Sequence, residues 1–284
     1  MAKLFEDAPN LAIFCDFENV AIGARDAKYK DFDIHLVLER LLDKGKIVVK
    51  RAYADWSKFQ RDKKPMHQTA FEMIEIPHVS YSGKNSADIR MVVDALDLCY
   101  TKKHIDLFVV ITGDSDFSPL VSKLRENNKM VIGIGVKAAT SALLIENCDE
   151  YIFYDDLVRA SRKEGKRKSN RPRRDAKSSK PKSNDKPADK SANGAAADET
   201  GSKEDALELV MDTVEALFRD RDGNVFGSLV KQTIKRKKPQ FSESFHGYQS
   251  FNELLEDARD KGFLEISKDD KSGGYIIMGF GENG

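Results

Sequence analysis

Asp114 and Asp116, one residue apart, close the stretch Leu107-Phe108-Val109-Val110-Ile111-Thr112-Gly113-Asp114-Ser115-Asp116-Phe117. Carboxylates set so directly behind an apolar run are costly unless something positive meets them. A second apolar run, Leu11-Ala12-Ile13-Phe14-Cys15, ends likewise in Asp16, with Asn19 three residues further on, and Asp55 and Asp88 follow other segments. Carboxylates gathered in one place raise one another's pKa values unless a cation is bound. With no His or Cys beside them, an oxygen-only donor set suits Mg²⁺ or Mn²⁺ rather than Zn²⁺. Such an ion lowers the pKa of bound water, holds a phosphate oxygen and stabilises an in-line displacement. Aspartates after strands also serve as helix caps and turn formers, an account that suits each one singly better than it suits Asp16, Asp114 and Asp116 together.

The elements that must position these groups alternate along the first half of the chain. The apolar runs at 11–15, 47–55 and 107–111 read as buried strands, and 130–136 and 151–154 read as two more. Between them, Asp33 is placed to cap a helix through Leu36, Leu38, Leu41 and Leu42, closed by Gly45. Pro65 marks a break or late start in the next helix, and His78 to Ser82 suggests a short strand. The turn Gly83-Lys84-Asn85 leads into a helix capped by Ser86, with Asp88 in its first turn and Ile89, Val92, Val93 and Leu96 facing inward. Ser118 is expected to cap a helix with Pro119 at its first position, and another helix runs through Leu143 and Leu144. This alternation predicts an α/β fold with a doubly wound, mainly parallel sheet. In such sheets ligands bind beyond the carboxyl ends of the strands, where Asp16, Asp55 and Asp114 stand.

Zero formal net charge conceals an uneven distribution. Residues 159–203 hold 15 Lys and Arg against 6 Asp and Glu, while 1–158 and 204–284 are both net acidic. A segment of net charge +9 with almost no large apolar residues cannot fold alone and suits polyanions, or serves as a solvated spacer. The chain therefore divides into 1–160, a disordered basic linker at 161–203, and a smaller unit at 204–284. Cys15, Cys99 and Cys148 lack paired spacing and sit in apolar surroundings, so neither a disulfide framework nor a zinc site is indicated. No signal-like segment or run of about 18 apolar residues is present, so a cytoplasmic protein with no membrane partner is expected.

Three motifs in order, Phe14-Cys15-Asp16-Phe17-Glu18-Asn19, Lys84 to Asp94, and Thr112 to Phe117, resemble the NYN domains of the PIN-like nuclease superfamily, in particular the LabA-like branch, over roughly residues 8–160. The resemblance implies a metal-dependent ribonuclease in which Asp16, Asn19, Asp88, Asp114 and Asp116 line an Mg²⁺ or Mn²⁺ site. Asp94 also matches an acidic family position, although it lies six residues along the helix from Asp88, on another face. Lys84 is a candidate for substrate phosphate, with plain solvation as its alternative, and Asp55 a weaker candidate ligand that can equally cap the following helix. A haloacid-dehalogenase-type phosphatase would place a second aspartate two residues after Asp16, and position 18 is Glu18.

The last block predicts three helices, through Leu207 to Leu217, Phe226 to Lys235 and Phe251 to Ala258, separated first by the turn Asp222-Gly223-Asn224, then a hairpin from Phe263 to Met278. This is a winged-helix pattern, but Glu253, Glu256, Asp257 and Asp260 on the third helix oppose ordinary duplex-DNA reading. With His246-Gly247-Tyr248-Gln249-Ser250-Phe251 ahead of Leu254-Leu255 and Gly262-Phe263-Leu264, it resembles the LOTUS or OST-HTH domain. That resemblance implies binding of single-stranded or G-rich, structured RNA, or docking of a protein partner. Lys231, Lys235, Arg236, Lys237 and Lys238 would then contact phosphates and Tyr248 would stack on a base. A solvated helix end and core packing are the respective alternatives. The reading as a whole is a metal-dependent endoribonuclease with an RNA-binding module; the alternative is a catalytically inactive RNA-binding or scaffold protein.

Overall fold

The computed structural model describes residues 8–76, 86–169, 201–220, 225–269 and 273–284. The expected strand at 78–82, Lys84, the turn at 222–224 and most of the predicted linker lie outside these residues. Six parallel strands form the larger sheet: β1 (Asn10–Asp16), β2 (Lys46–Ala54), β3 (Glu72–Glu75), β4 (Leu107–Ile111), β5 (Met130–Gly135) and β6 (Glu150–Phe153), in the order β3-β2-β1-β4-β5-β6. The chain winds outward from β1 to β3, returns to β4 beside β1, and winds outward again to β6. The reversal falls between β1 and β4, so the crevice of the sheet opens where Asp16 and Asp114 leave those strands.

Side chains alternate across the sheet and build a core on each face. Leu11, Ile13 and Cys15 point to one, shared with α1 (Phe17–Asp26), α2 (Ile34–Leu42) and α7 (Tyr154–Ser169). Ala12 and Phe14 point to the other, shared with α4 (Ser86–Thr101), α5 (Ser118–Glu126) and α6 (Ala142–Asn147). Every residue of β4 is buried, which is why its sequence reads as one unbroken apolar run. The three cysteines are buried and unpaired. Asp33 caps α2 as expected, accepting from the His35 N–H at 3.0 Å, and α3 (Lys63–Gln68) begins late, around Pro65.

Two expectations are corrected. α4 turns Met91, Ala95, Leu98 and Cys99 inward, with Val92 and Leu96 packed partly buried beside them as expected, leaving Ile89 and Val93 exposed at 63% and 55%. Ser86 and Ser118 are the first residues of their helices rather than caps, and Pro119 takes the second position of α5.

Beyond residue 200, α8 (Lys203–Asp220), α9 (Gly227–Lys237) and α10 (Phe251–Asp260) pack on a three-stranded antiparallel sheet of β7 (Val225–Phe226), β8 (Leu264–Lys268) and β9 (Tyr275–Phe280), in the order β7-β9-β8. Their core, with Val210, Val230, Leu254 and Ile277 fully buried, is separate from the two on the large sheet. Ser250 caps α10 by accepting from the Glu253 N–H at 3.2 Å. The smaller unit meets the larger along β6, the free edge of the parallel sheet. There the Tyr151 N–H donates to the Pro239 carbonyl at 2.9 Å, and Lys235 Nζ lies 2.6 Å from Glu150. The cations of Lys137 and Arg159 stand over the Phe245 ring. An edge strand otherwise presents open backbone groups, and Pro239 satisfies one of them.

Candidate active site

β1 ends at Asp16 because that carboxylate caps α1: its Oδ1 accepts from the Asn19 N–H at 3.2 Å. Its second oxygen accepts from the Thr112 hydroxyl at 3.2 Å, and the same hydroxyl oxygen accepts from the Asp114 N–H, also at 3.2 Å. Thr112, fully buried, thus links the carboxylate after β1 to the turn after β4. Asn19 repeats the link from the other side, its Oδ1 accepting from the Gly113 N–H at 2.9 Å. Gly113 is required there, because a Cβ would stand 2.1 Å from the Ala139 carbonyl oxygen. Asp114 in turn accepts from the Asp116 N–H at 3.0 Å and caps the short 3-10 turn Ser115–Phe117. The capping roles and the clustering therefore coexist: capping aims these carboxylates at the crevice.

Among the described residues, the electrostatics of the crevice are uncompensated. Asp16, 8% exposed, has its pKa raised to about 7 by burial, with Asp88 and Glu18 adding repulsion; hydrogen bonds from Asn19 and Thr112 oppose the rise without cancelling it. Asp88, in the first turn of α4, is raised by burial and then by Asp114, Asp116 and Glu18. Among the described residues, the charges acting on both groups are carboxylates. Asp16, Asp88, Asp114 and Asp116 therefore share one electrostatic neighbourhood, as expected from their positions in the sequence. Glu18 belongs to it as well and was not singled out beforehand. It stands two residues after Asp16 at the start of α1, and its Oε1 accepts from the Asp55 N–H at 2.7 Å. Thr112 was also missed; its signal is a hydroxyl residue between a buried strand and the Gly-Asp turn.

Other expected site residues are placed elsewhere. Asp55 is engaged by Ser57 and Lys58, and the Ser57 hydroxyl above all holds its carboxyl below the usual range. It stabilises the turn after β2 rather than capping the following helix, which starts at Lys63 behind Asp62. Asp94 accepts from the Tyr53 hydroxyl at 2.9 Å and from Arg90 at 3.1 Å, a polar cluster apart from the crevice. In the smaller unit, Lys231 is ion-paired with Glu243 at 2.7 Å and Lys235 with Glu150, so neither is spare for phosphate in this arrangement. Arg236, Lys237 and Lys238 remain exposed at the end of α9. Tyr248 is 2% exposed, with its hydroxyl donating to Asp257 and Lys203 over its ring. It packs in the core and presents no open face to a base.

The donor set of the crevice is chemically suited to a hard divalent cation. Burial and mutual repulsion raise Asp16 and Asp88, and a bound cation would oppose both effects. Among the described residues, no group of three or more His, Cys, Asp or Glu side chains is placed closely enough to hold a metal ion.

A six-stranded parallel sheet with acidic residues at its reversal point defines the class, an α/β domain of PIN-like architecture. Residues 10–155 match the family model of the NYN domain, and the chain belongs to that family, whose members are generally nucleases. It is similar to the uncharacterized protein MJ0482 of Methanocaldococcus jannaschii, 31% identical over 126 residues, which are 44% of this chain and 49% of the relative. The matched region thus spans about half the length of that curated relative. Among solved structures, a protein of unknown function from Vibrio parahaemolyticus, VPA0982, aligns with a TM-score of 0.48 at 25% identity, over 54% of this chain and 96% of its own. No helix among the described residues is long and apolar enough to cross a membrane.

Proposed function

We propose that this protein is a metal-dependent endoribonuclease. The observation that carries the reading is the set of four aspartates at the reversal of the sheet, where burial first and neighbouring carboxylates second raise Asp16 and Asp88. Perturbed carboxylates gathered in a cleft mark functional sites more often than structural ones. Asp16, Asp114 and Asp116 would hold Mg²⁺ or Mn²⁺ by drawing closer together than they stand here, with Asp88 acting directly or through water. A bound ion supplies a lowered water pKa and a counter-charge for a phosphate oxygen. Within the chain, Thr112 and Asn19 hold the two halves of the crevice in register, and Glu18 adds negative charge that favours cation binding.

The unit beyond residue 200 is proposed to be a LOTUS/OST-HTH-like module that holds RNA through Arg236, Lys237 and Lys238, with the basic segment before it raising the local concentration of substrate. RNA needs that help, because the crevice itself repels phosphate until a cation is present.

The decisive test incubates the full-length protein and its Asp114→Asn variant with end-labelled single-stranded, hairpin and G-rich RNAs in Mn²⁺, Mg²⁺ or EDTA. Cleavage is expected to need both metal and Asp114, with the variant slower by about 10²–10³-fold, the scale of losing one principal electrostatic contributor. Binding without cleavage under every condition would replace the enzyme with an RNA-binding scaffold.

A further inference from the structure

The orientation of α4 leaves a groove beside the carboxylates whose apolar side the catalytic reading does not use. Ile89 and Val93 on α4, exposed at 63% and 55%, face Pro119 on α5 and Leu143 on α6, itself 54% exposed, across a cavity of about 710 Å³. Asp88 and Asp116 belong both to this groove and to the acidic crevice. Ser115, Ser118 and Ser122 also line it. Ser118 is 5% exposed, and its Oγ is buried without a hydrogen-bond partner, a state that folded proteins rarely leave uncompensated.

We propose that this groove binds an unpaired nucleobase of the RNA strand whose phosphate lies at the carboxylates, an inference that rests on the nuclease reading of the crevice. A phosphate would meet no Lys or Arg among the described lining residues and two carboxylates at the margin, which disfavours entry of the strand's backbone. A base is uncharged, has an apolar face to lie against Ile89, Val93 and Pro119, and has a polar edge to take up the Ser118 hydroxyl. Bases in a duplex have neither face nor edge to spare, whereas single-stranded or extruded nucleotides have both. The groove therefore selects an unpaired nucleotide next to the cleaved bond, and its continuity with Asp88 and Asp116 favours a nucleotide over an unrelated partner.

The test uses the full-length Asp114→Asn protein, silenced for cleavage, with short single-stranded RNAs carrying one 4-thiouridine stepped along the strand. Photocrosslinks are mapped by mass spectrometry, and affinity is read by fluorescence anisotropy for this protein and for added Val93→Asn or Ser118→Ala. Crosslinks are expected on 89–93 and 118–122 from one or two adjacent positions. Val93→Asn should weaken single-stranded binding about tenfold and Ser118→Ala about threefold, with binding to the matching duplex unchanged and thermal melts confirming that both variants fold. Crosslinks confined to other surfaces, or unchanged affinity in both variants, would overturn the proposal. So would a Val93→Asn variant that turns a dimer into a monomer without altering RNA affinity, which would make the groove a contact between chains. Wild-type cleavage is scored separately. Groove crosslinks without cleavage would sink the nuclease reading and keep the base site, and cleavage without groove crosslinks would do the reverse.

Discussion

Asp16 and Glu150 are both carboxylates withdrawn from water on the same parallel sheet, and their surroundings treat them in opposite ways. At Glu150, burial alone would raise the pKa, but Lys235 and Lys44, each 2.6 Å away, hold it below the usual range. At Asp16, burial is followed by further negative charge, and the pKa rises to about 7. The compensated group fastens one unit of the chain to another. The uncompensated one sits at the reversal of the sheet, where a ligand can supply the missing charge. Burial of a charge by itself therefore says little about role; the partners decide it. The clamp is not free of cost either, because burial lowers the Lys44 ammonium and Lys235 beside it adds repulsion, which Glu150 only partly offsets.

The largest way to break this contrast is to remove the Asp16 charge. In the unfolded chain Asp16 releases its proton near the ordinary carboxylate value of 3.8, whereas the folded chain keeps it until about 7. Across that window the folded state binds more protons, so stability falls as pH rises, by on the order of 4 kcal/mol from this group. In chelator-treated protein, Asp16→Asn should flatten that slope and raise the melting temperature at pH 8 by roughly 10 °C. Mn²⁺ should stabilise the wild type and leave the variant nearly unaffected. Calorimetry over pH 4 to 8 checks both, and an unchanged slope in the variant would mean that Asp16 is not the strained group.

At the clamp the same kind of change should act in the opposite direction. Glu150→Gln leaves two half-buried ammonium groups facing a neutral amide, and is expected to destabilise by about 2 kcal/mol, toward the low end for broken buried pairs because the site keeps some water. Lys235→Met should cost less, and the double variant less than the sum, with a coupling energy of about 1 kcal/mol. Amide hydrogen exchange supplies the structural readout. The Tyr151 N–H, bonded to the Pro239 carbonyl, should lose protection in Glu150→Gln. Retained protection there would show that the edge contact stands without the clamp.

How far the two regions could be read beforehand also differs, for a physical reason. The crevice was legible because local signals sum there: fully buried strands give unbroken apolar runs, and the turn after each carries its carboxylate within one to five residues. The clamp was not, since Glu150 meets partners 106 and 85 residues away in sequence, and nothing local to Lys44 or Lys235 marks them. The α4 helix shows the same limit on a smaller scale. Met91, Ala95 and Leu98 have the helical spacing of a buried stripe, but so do Ile89, Val92, Val93 and Leu96, and only the neighbouring sheet decides that Val92 and Leu96 pack on the core while Ile89 and Val93 do not. β3, four residues with Glu at both ends on the sheet edge, lacks the apolar run that betrays a central strand.

Smaller effects sharpen the comparison inside the C-terminal unit, where charged and aromatic residues that look alike in sequence divide between core and surface. Replacing Arg236, Lys237 and Lys238 together by Ala should lower RNA affinity and reduce the slope of log affinity against log salt by about 2, the counterion release of three contacts to a single strand. Tyr248→Phe should leave affinity and salt slope alone. It removes the hydroxyl that donates to Asp257 and should cost about 1 kcal/mol of stability, read as a lower melting temperature. The opposite outcome, weakened RNA binding with an unchanged melt, would mean that Tyr248 leaves the core to meet a base. The buried arrangement would then be a closed state of the module, and Lys203, now over the tyrosine ring, would be the first residue to examine for what opens it.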